Sequence, residues 1–220
     1  MKKSILLLFV AASVVIASCG DNKKKEKEDA QKKEDSLKAV EKEKAKADSI
    51  KAAENSIVSL DKKYKEDVNG QWADQAQASS SYAKDNKGKN ASWSAEQMIG
   101  EPDVTAYGDN GKAWASLEQD KGEEWVKLTF KKPVFATEIR ARMTYNPGAI
   151  SKIEVFNQQG KPEVVWQGAD KKAYKNKMDY FVAQFEKTKY PINKIKITLD
   201  SKAIAGWNEI DAVQLVGTEK

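Results

Sequence analysis

Trp125-Val126-Lys127-Leu128-Thr129-Phe130 places Val126, Leu128 and Phe130 on one face of an extended chain and Lys127 and Thr129 on the other. A period of two with one polar face is the pattern of a strand in an antiparallel sheet that covers a core on one side. The pattern recurs along the chain. Ile139, Ala141 and Met143 alternate with Arg140, Arg142 and Thr144, and Ile153 and Val155 alternate with Lys152 and Glu154; similar runs lie at 164–166, 180–185, 195–199 and 210–216. Turn residues punctuate the runs at Lys131-Lys132-Pro133, Asn146-Pro147-Gly148, Gln159-Gly160-Lys161-Pro162, Tyr190-Pro191 and Ala205-Gly206. Short strands at this spacing predict a mainly β protein built as an antiparallel β-sandwich. The stretch of about 150 residues from 68 onward is long enough to bury one such core.

Upstream of residue 68 the composition changes. From Lys23 to Asp67 the chain is mostly Lys, Glu, Asp and Ala, without Gly, Pro, Trp or Phe, whereas all six tryptophans and all five prolines follow. These are helix-forming residues, and pairs such as Glu28 with Lys32 and Glu34 with Lys38 have the i, i+4 spacing that supports a solvated helix. Residues 19–67 therefore read as a charged stalk, helical or disordered, ahead of a domain over 68–220. Fully helical, it would reach roughly 60 to 70 Å. Ile50, Ala53, Ile57, Leu60 and Tyr64 follow heptad spacing near its end, a run short of the three or four heptads that define a coiled coil.

Residues 1–18 read as an export signal. Lys2 and Lys3 precede an apolar run from Ile5 to Ala17, and Val15-Ile16-Ala17-Ser18-Cys19-Gly20 puts the single cysteine just after small residues. A spanning helix needs about 20 apolar residues, and this run is shorter and ends at a small-residue cleavage pattern. The segment resembles a bacterial lipoprotein lipobox. That resemblance implies an acylated Cys19 holding the mature chain to a membrane, since more than one acyl chain gives stable anchoring. Gly20 lacks the acidic character that retains some enterobacterial lipoproteins in the inner membrane, so an outer-membrane location is the expectation for a two-membrane host. With one cysteine, no disulfide forms within the chain.

The chain carries a net charge of +5 from 38 basic and 33 acidic residues. The stretch after Asp67 holds 22 basic and 20 acidic residues, without the basic stripe of a phosphate-binding surface, so no nucleic-acid partner is expected. The absence of histidine removes Ser-His, Cys-His and His-ligated zinc chemistry. Glu123 and Glu124 fall on opposite faces of their strand, which leaves only pairs such as Asp109 with Glu209 for carboxylate catalysis. The expectation is a protein that is not an enzyme.

Ser94-Ala95-Glu96-Gln97 fits a capping box that opens a short helix, with Trp93 and Met98 placed for a hydrophobic staple and Gly100 and Pro102 as stops.

The ordered set Trp93 to Gly100, Tyr107-Gly108-Asp109-Asn110, Ala113-Trp114-Ala115, Glu123 to Leu128, Tyr145-Asn146-Pro147-Gly148-Ala149-Ile150 and Trp207-Asn208-Glu209-Ile210-Asp211-Ala212-Val213 resembles a discoidin-like domain of the galactose-binding-like superfamily. The resemblance covers about residues 75 to 218. It implies an eight-stranded antiparallel jelly-roll, usually non-catalytic, that binds sugars, lipid head groups or proteins at loops on one end. It also implies a structural calcium site: Glu209 stands where the family carries a glutamate, and Asp103, Asp109 and Asn110 lie in the loop that would supply oxygen ligands. The loop spacing departs from the family pattern, and Asp109-Asn110-Gly111 reads equally as a plain turn.

For ligand contact the candidates are Tyr145 and Asn146 before the Pro-Gly turn, Trp207 after Ala205-Gly206, and Arg140 and Arg142, the chain's only arginines, on one strand face. Aromatic faces suit sugar rings and the guanidinium fork suits acidic groups; core packing and a solvated strand face are the plainer readings. The expected function is carbohydrate binding at the cell envelope, with envelope-protein docking as the alternative.

Overall fold

The computed structural model describes residues 22–83, 91–170, 172, 174 and 176–220. The signal at 1–18 and Cys19 lie outside the described residues. The chain divides into two compact units, residues 1–48 and 49–220. Among the described residues no helix is long and apolar enough to cross a membrane.

Helix α1 runs from Asn22 to Lys65. In the first unit its side chains from residue 31 to 48 are all exposed, as a sequence with only scattered apolar residues dictates. Lys38 donates to Glu34 at 2.7 Å, the i, i+4 pairing read from the sequence.

The second unit is an antiparallel sandwich of eight strands: β1 Gly70–Trp72, β2 Gln75–Ala78, β3 Glu123–Tyr145, β4 Ile150–Phe156, β5 Pro162–Gln167, β6 Asp179–Gln184, β7 Ile192–Asp200 and β8 Glu209–Thr218. One sheet pairs β1, β8, the second half of β3 and β6. The other pairs β2, the first half of β3, β7, β4 and β5. Strand β3 thus belongs to both. The runs expected on either side of Lys131-Lys132-Pro133 are one strand of 23 residues, and the supposed turn is a corner where the register with β7 shifts between Thr129 and Val134. Proline without its N–H is tolerated at such an irregularity, and a strand that changes sheets here closes the sandwich along one side.

The core lies where the alternation placed it. Val126, Leu128 and Phe130 from one half of β3 face Ile139, Ala141 and Met143 from the other, with Ile153, Ile195, Ile197, Ile210 and Leu215 between them, all at most 1% exposed.

The last turns of α1 are part of this second unit. Ile57 and Tyr64 are buried with Val104, Ala113, Met178 and Tyr180, and Leu60, Trp72 and Tyr107 pack on them. The end of the heptad-spaced stripe, Ile57, Leu60 and Tyr64, therefore packs inside the chain, on the outer face of the sheet that holds β8, while Ile50 stays 48% exposed. The compact unit begins at 49, earlier than the compositional boundary at 68.

Arg140 and Arg142 point from β3 into this contact, so the strand face expected to meet solvent or an acidic ligand is covered. Asp61 grips Arg142 bidentately, Oδ1 to Nε at 2.8 Å and Oδ2 to Nη2 at 2.9 Å, and Tyr180 Oη donates to Asp61 Oδ1 at 2.8 Å. On the other side Arg142 Nη1 reaches Asp211 Oδ2 at 2.9 Å. Asp211 is the extra residue of a β8 bulge, since Arg142 pairs with Ala212 and Met143 with Ile210. A bulge re-aims the side chain it inserts, here towards the guanidinium. Arg140 bonds Asp67, Glu138 and Gln214 and lies 4.0 Å over the Tyr64 ring. Two arginines whose forks are filled by internal carboxylates hold the helix end to the sheet.

Candidate functional site

The loops at one end of the sandwich are tied together by backbone and indole hydrogen bonds. Trp114 and Ile210 exchange both backbone bonds, 2.8 and 3.1 Å, which fastens the loop after Gly108 to the start of β8. Trp114 itself is core, 1% exposed, with its indole N–H on Ser80 O at 2.9 Å. Tyr82 N–H donates to Ala115 O at 2.9 Å and Trp93 N–H to Gly111 O at 2.8 Å. A side chain at Gly111 would stand 2.8 Å from Ser92 Cβ, so glycine is what lets these two segments meet.

Ser94 precedes a 3-10 helix, Ala95–Met98, with no side-chain capping bond. The Ser94 half of the expected capping box is not made: the Gln97 N–H bonds the Ser94 backbone O at 3.2 Å, as in a 3-10 turn. Trp93 has φ of 57°, a left-handed conformation that costs a non-glycine residue about 1 kcal/mol or more. The indole N–H donates to Asp109 Oδ1 at 2.9 Å, and the ring faces Tyr82 edge-on with centroids 5.3 Å apart. Trp207 meets Tyr82 from the other side at 5.6 Å, its indole N–H held by Ser116 O at 3.1 Å.

These rings, with Ala115, Asp109 and Glu209, line a small open pocket of about 70 Å³, well below the volume that encloses a whole ligand, so it suits one group of a larger molecule. Glu209 forms its floor. The residue is 0% exposed. Its Oε2 accepts from Asn110 N–H at 3.1 Å, whereas Oε1 has no donor among the described residues. Burial, and then the neighbouring Asp109 carboxyl within hydrogen-bond reach, push the Glu209 carboxyl up to about 8, against the opposing pull of the Asn110 and Trp93 N–H groups. Protonated, Glu209 has a donor for Asp109; ionised, it presents a bare oxygen to the pocket.

Of the sequence candidates, the structure brings Trp207, Asp109 and Glu209 together. Tyr145 and Asn146 stand beside the pocket and do not line it. Asn146, at φ 40°, accepts from Tyr107 Oη at 3.1 Å and donates to Trp207 O at 3.1 Å, while Tyr145 packs on Tyr107 at 5.5 Å. The Tyr-Asn-Pro-Gly turn thus holds the Trp207 loop in place. Arg140 and Arg142 lie under the helix, away from these loops. Asp103 faces Lys112 at 3.6 Å, and Asn110 Oδ1 accepts Lys112 N–H at 3.0 Å. Of the four residues expected around calcium, Asp109 and Asn110 adjoin Glu209, with the Asn110 N–H on Glu209 Oε2 at 3.1 Å, while Asp103 is turned to Lys112. Among the described residues no group of three or more acidic, histidine or cysteine side chains is placed to hold a metal ion. Sequence reasoning missed Tyr82 and Trp93 as lining residues. The available signal was an aromatic set among small polar residues, Ser79-Ser80-Ser81-Tyr82 and Ala91-Ser92-Trp93-Ser94, in segments without strand alternation.

Three comparisons bear on kinship. A stretch of 106 residues is 26% identical to F-box/LRR-repeat protein 4 of Bos taurus; it covers 44% of this chain and 17% of that protein, so the match spans about a sixth of the relative's length. Among solved structures, the chitosan-binding module 1 of a chitosanase/glucanase from Paenibacillus sp. IK-5 is 13% identical, with a TM-score of 0.47 over 65% of this chain and 94% of that one. The family 32 CBM of C. perfringens NanJ, solved in complex with galactose, is 18% identical, with a TM-score of 0.44 over 66% and 98%. The family model described as Pappalysin-1, SD scarf domain, C-terminal matches residues 61–220, from the Asp61 that grips Arg142 through β8, and the chain belongs to that family.

Proposed function

We propose that the second unit is a non-catalytic carbohydrate-binding module on an exported protein anchored through an acylated Cys19, at the outer membrane of a two-membrane host. The observation that carries the binding reading is the pocket in which the Trp93, Tyr82 and Trp207 rings stand beside Asp109 and Glu209. Aromatic faces pack on the apolar side of a sugar ring, and fixed carboxyl oxygens accept from its hydroxyls. The same geometry argues against glycoside hydrolysis. Asp109 and Glu209 are within hydrogen-bond reach of each other, whereas carboxyls that flank a glycosidic bond stand about 5 Å apart or more. The lipid anchor rests on the Lys2-Lys3 head, the apolar run and the position of Cys19.

A glycan array probed with the purified full chain in detergent, alongside Trp207→Ala, tests the binding reading. Saturable binding lost in the variant is the expected result. No binding to any neutral, acidic or basic glycan would overturn the reading and favour docking of another envelope protein. Metabolic labelling with a radiolabelled fatty acid, compared with Cys19→Ala, tests the anchor: label incorporated by the variant would sink it.

A further inference from the structure

The lining of the pocket narrows what it selects. Tyr82 stands edge-on to both Trp93 and Trp207, so three rings border one small volume. Two carboxyls complete it, and no lysine or arginine among the described residues lines it, in a chain that holds 38 of them. Lys112, three residues from Asp109, is turned to Asp103. Glu209 Oε1, in a residue that is 0% exposed, has no donor among the described residues. A buried acceptor left without a donor keeps its desolvation penalty, and a ligand bringing N–H donors offsets it. Aromatic faces carry negative quadrupole density and attract a cation partly stripped of water.

We propose, on the strength of the binding-module reading, that this pocket takes the free ammonium group of an amino sugar, with Asp109 and Glu209 Oε1 accepting its N–H groups and the Tyr82 and Trp207 rings packing on the sugar. A neutral hydroxyl carries one proton for two acceptors and leaves the field of the rings unused. Acetylation of the amine removes the charge and adds bulk to a pocket of about 70 Å³. The chain's net charge of +5 repels cations at long range, so selectivity for an amine has to arise from local contacts.

The test is isothermal titration of the full chain, at physiological ionic strength, with three trisaccharides: β-1,4-linked glucosamine, its fully N-acetylated counterpart and the glucose equivalent. The glucosamine trisaccharide is expected to bind at least tenfold more tightly than either other, about 1.4 kcal/mol. Asp109→Asn, an exposed isosteric change whose carbonyl still accepts from Trp93, is expected to remove at least that factor while circular dichroism stays unchanged. Trp207→Ala is expected to abolish binding. Equal affinity for all three trisaccharides, or an Asp109→Asn variant that binds as before, overturns the amine inference and leaves the carbohydrate reading standing. Binding of choline with no response to any trisaccharide, or the absence of binding to every probe, overturns the amine inference, and the glycan array then decides the carbohydrate reading separately.

Discussion

Arg142 shows how much one side chain decides here. It is 1% exposed and spans Asp61 of the helix and Asp211 of the β8 bulge. Burying a charge is tolerated when its partners and hydrogen bonds are complete, and removing one member leaves the others uncompensated. Arg142→Ala is therefore expected to cost about 3 to 5 kcal/mol in urea unfolding. Arg142→Lys should recover less than half of that, because an ammonium cannot make the bidentate contact with Asp61 while also reaching Asp211. A loss below about 1 kcal/mol would make the network equivalent to a surface pair. Glu209 carries a second expectation, on pH. Its carboxyl ionises near 4.5 when unfolded and near 8 in the fold, so between those values the folded chain holds a proton the unfolded chain has released. Stability from this group is complete below about pH 4.5, declines as pH rises towards 8, and is flat beyond. Asp211, raised by burial to about 6, adds the same sign over a lower window. Thermal melts of wild type should fall from pH 6 to 8, and Glu209→Gln should flatten that fall and gain about 1 to 3 kcal/mol at pH 8; a wild-type profile that rises over this range would contradict the assignment. Trp207 was visible from the Ala205-Gly206 turn before it, and Asp109 and Glu209 from the resemblance to discoidin-like domains. The sequence hid the role of the arginines, since an outward strand position looks the same whether water or a helix covers it. It hid Trp93 because a left-handed backbone angle leaves no mark in the pattern of residue types.

Among the elements, strand alternation was legible and strand ends were not. Period two named the inward residues of β3 correctly in both halves, yet Lys-Lys-Pro at its centre reads identically as a reversal or as a corner, and only the partner strands decide. The two short strands β1 and β2 carry too few residues for an alternation and were not foreseen. The helix end supplies the sharpest test at this scale. Ile57 is 3% exposed and its neighbour Val58 is 65% exposed, so the heptad-spaced stripe and the surface differ by one position. Ile57→Ala is expected to cost about 2 to 4 kcal/mol in chemical denaturation, and Val58→Ala less than about 0.5. Equal small effects at both positions would mean that the helix end does not pack on the sheet in solution.

The whole chain combines two kinds of stability. The second unit owns the sandwich core and the docked helix end, whereas the helix over 22–48 shows only exposed side chains from residue 31 on. An exposed helix of this kind rests on propensity and on i, i+4 pairs such as Glu34–Lys38, each contributing about 0.2 to 0.5 kcal/mol and weakened by salt. Helices without a tertiary face are marginal and fray gradually. All six tryptophans lie within the second unit, so the two kinds of signal separate cleanly. On heating, tryptophan fluorescence should report one cooperative transition, while the helical circular dichroism should decline over a broad range beginning below it and should decline further at 1 M salt. A chain begun at residue 49 should keep the fluorescence midpoint of the full protein within about 2 °C, since the contacts of Ile57, Asp61, Tyr64 and Asp67 survive. A chain begun at residue 68 strips Asp61 and Asp67 from the two buried arginines and should lose at least about 3 kcal/mol. If the two truncations melted alike, the compositional boundary at 68 would also be the physical one, and the arginine network would have no part in holding the domain together.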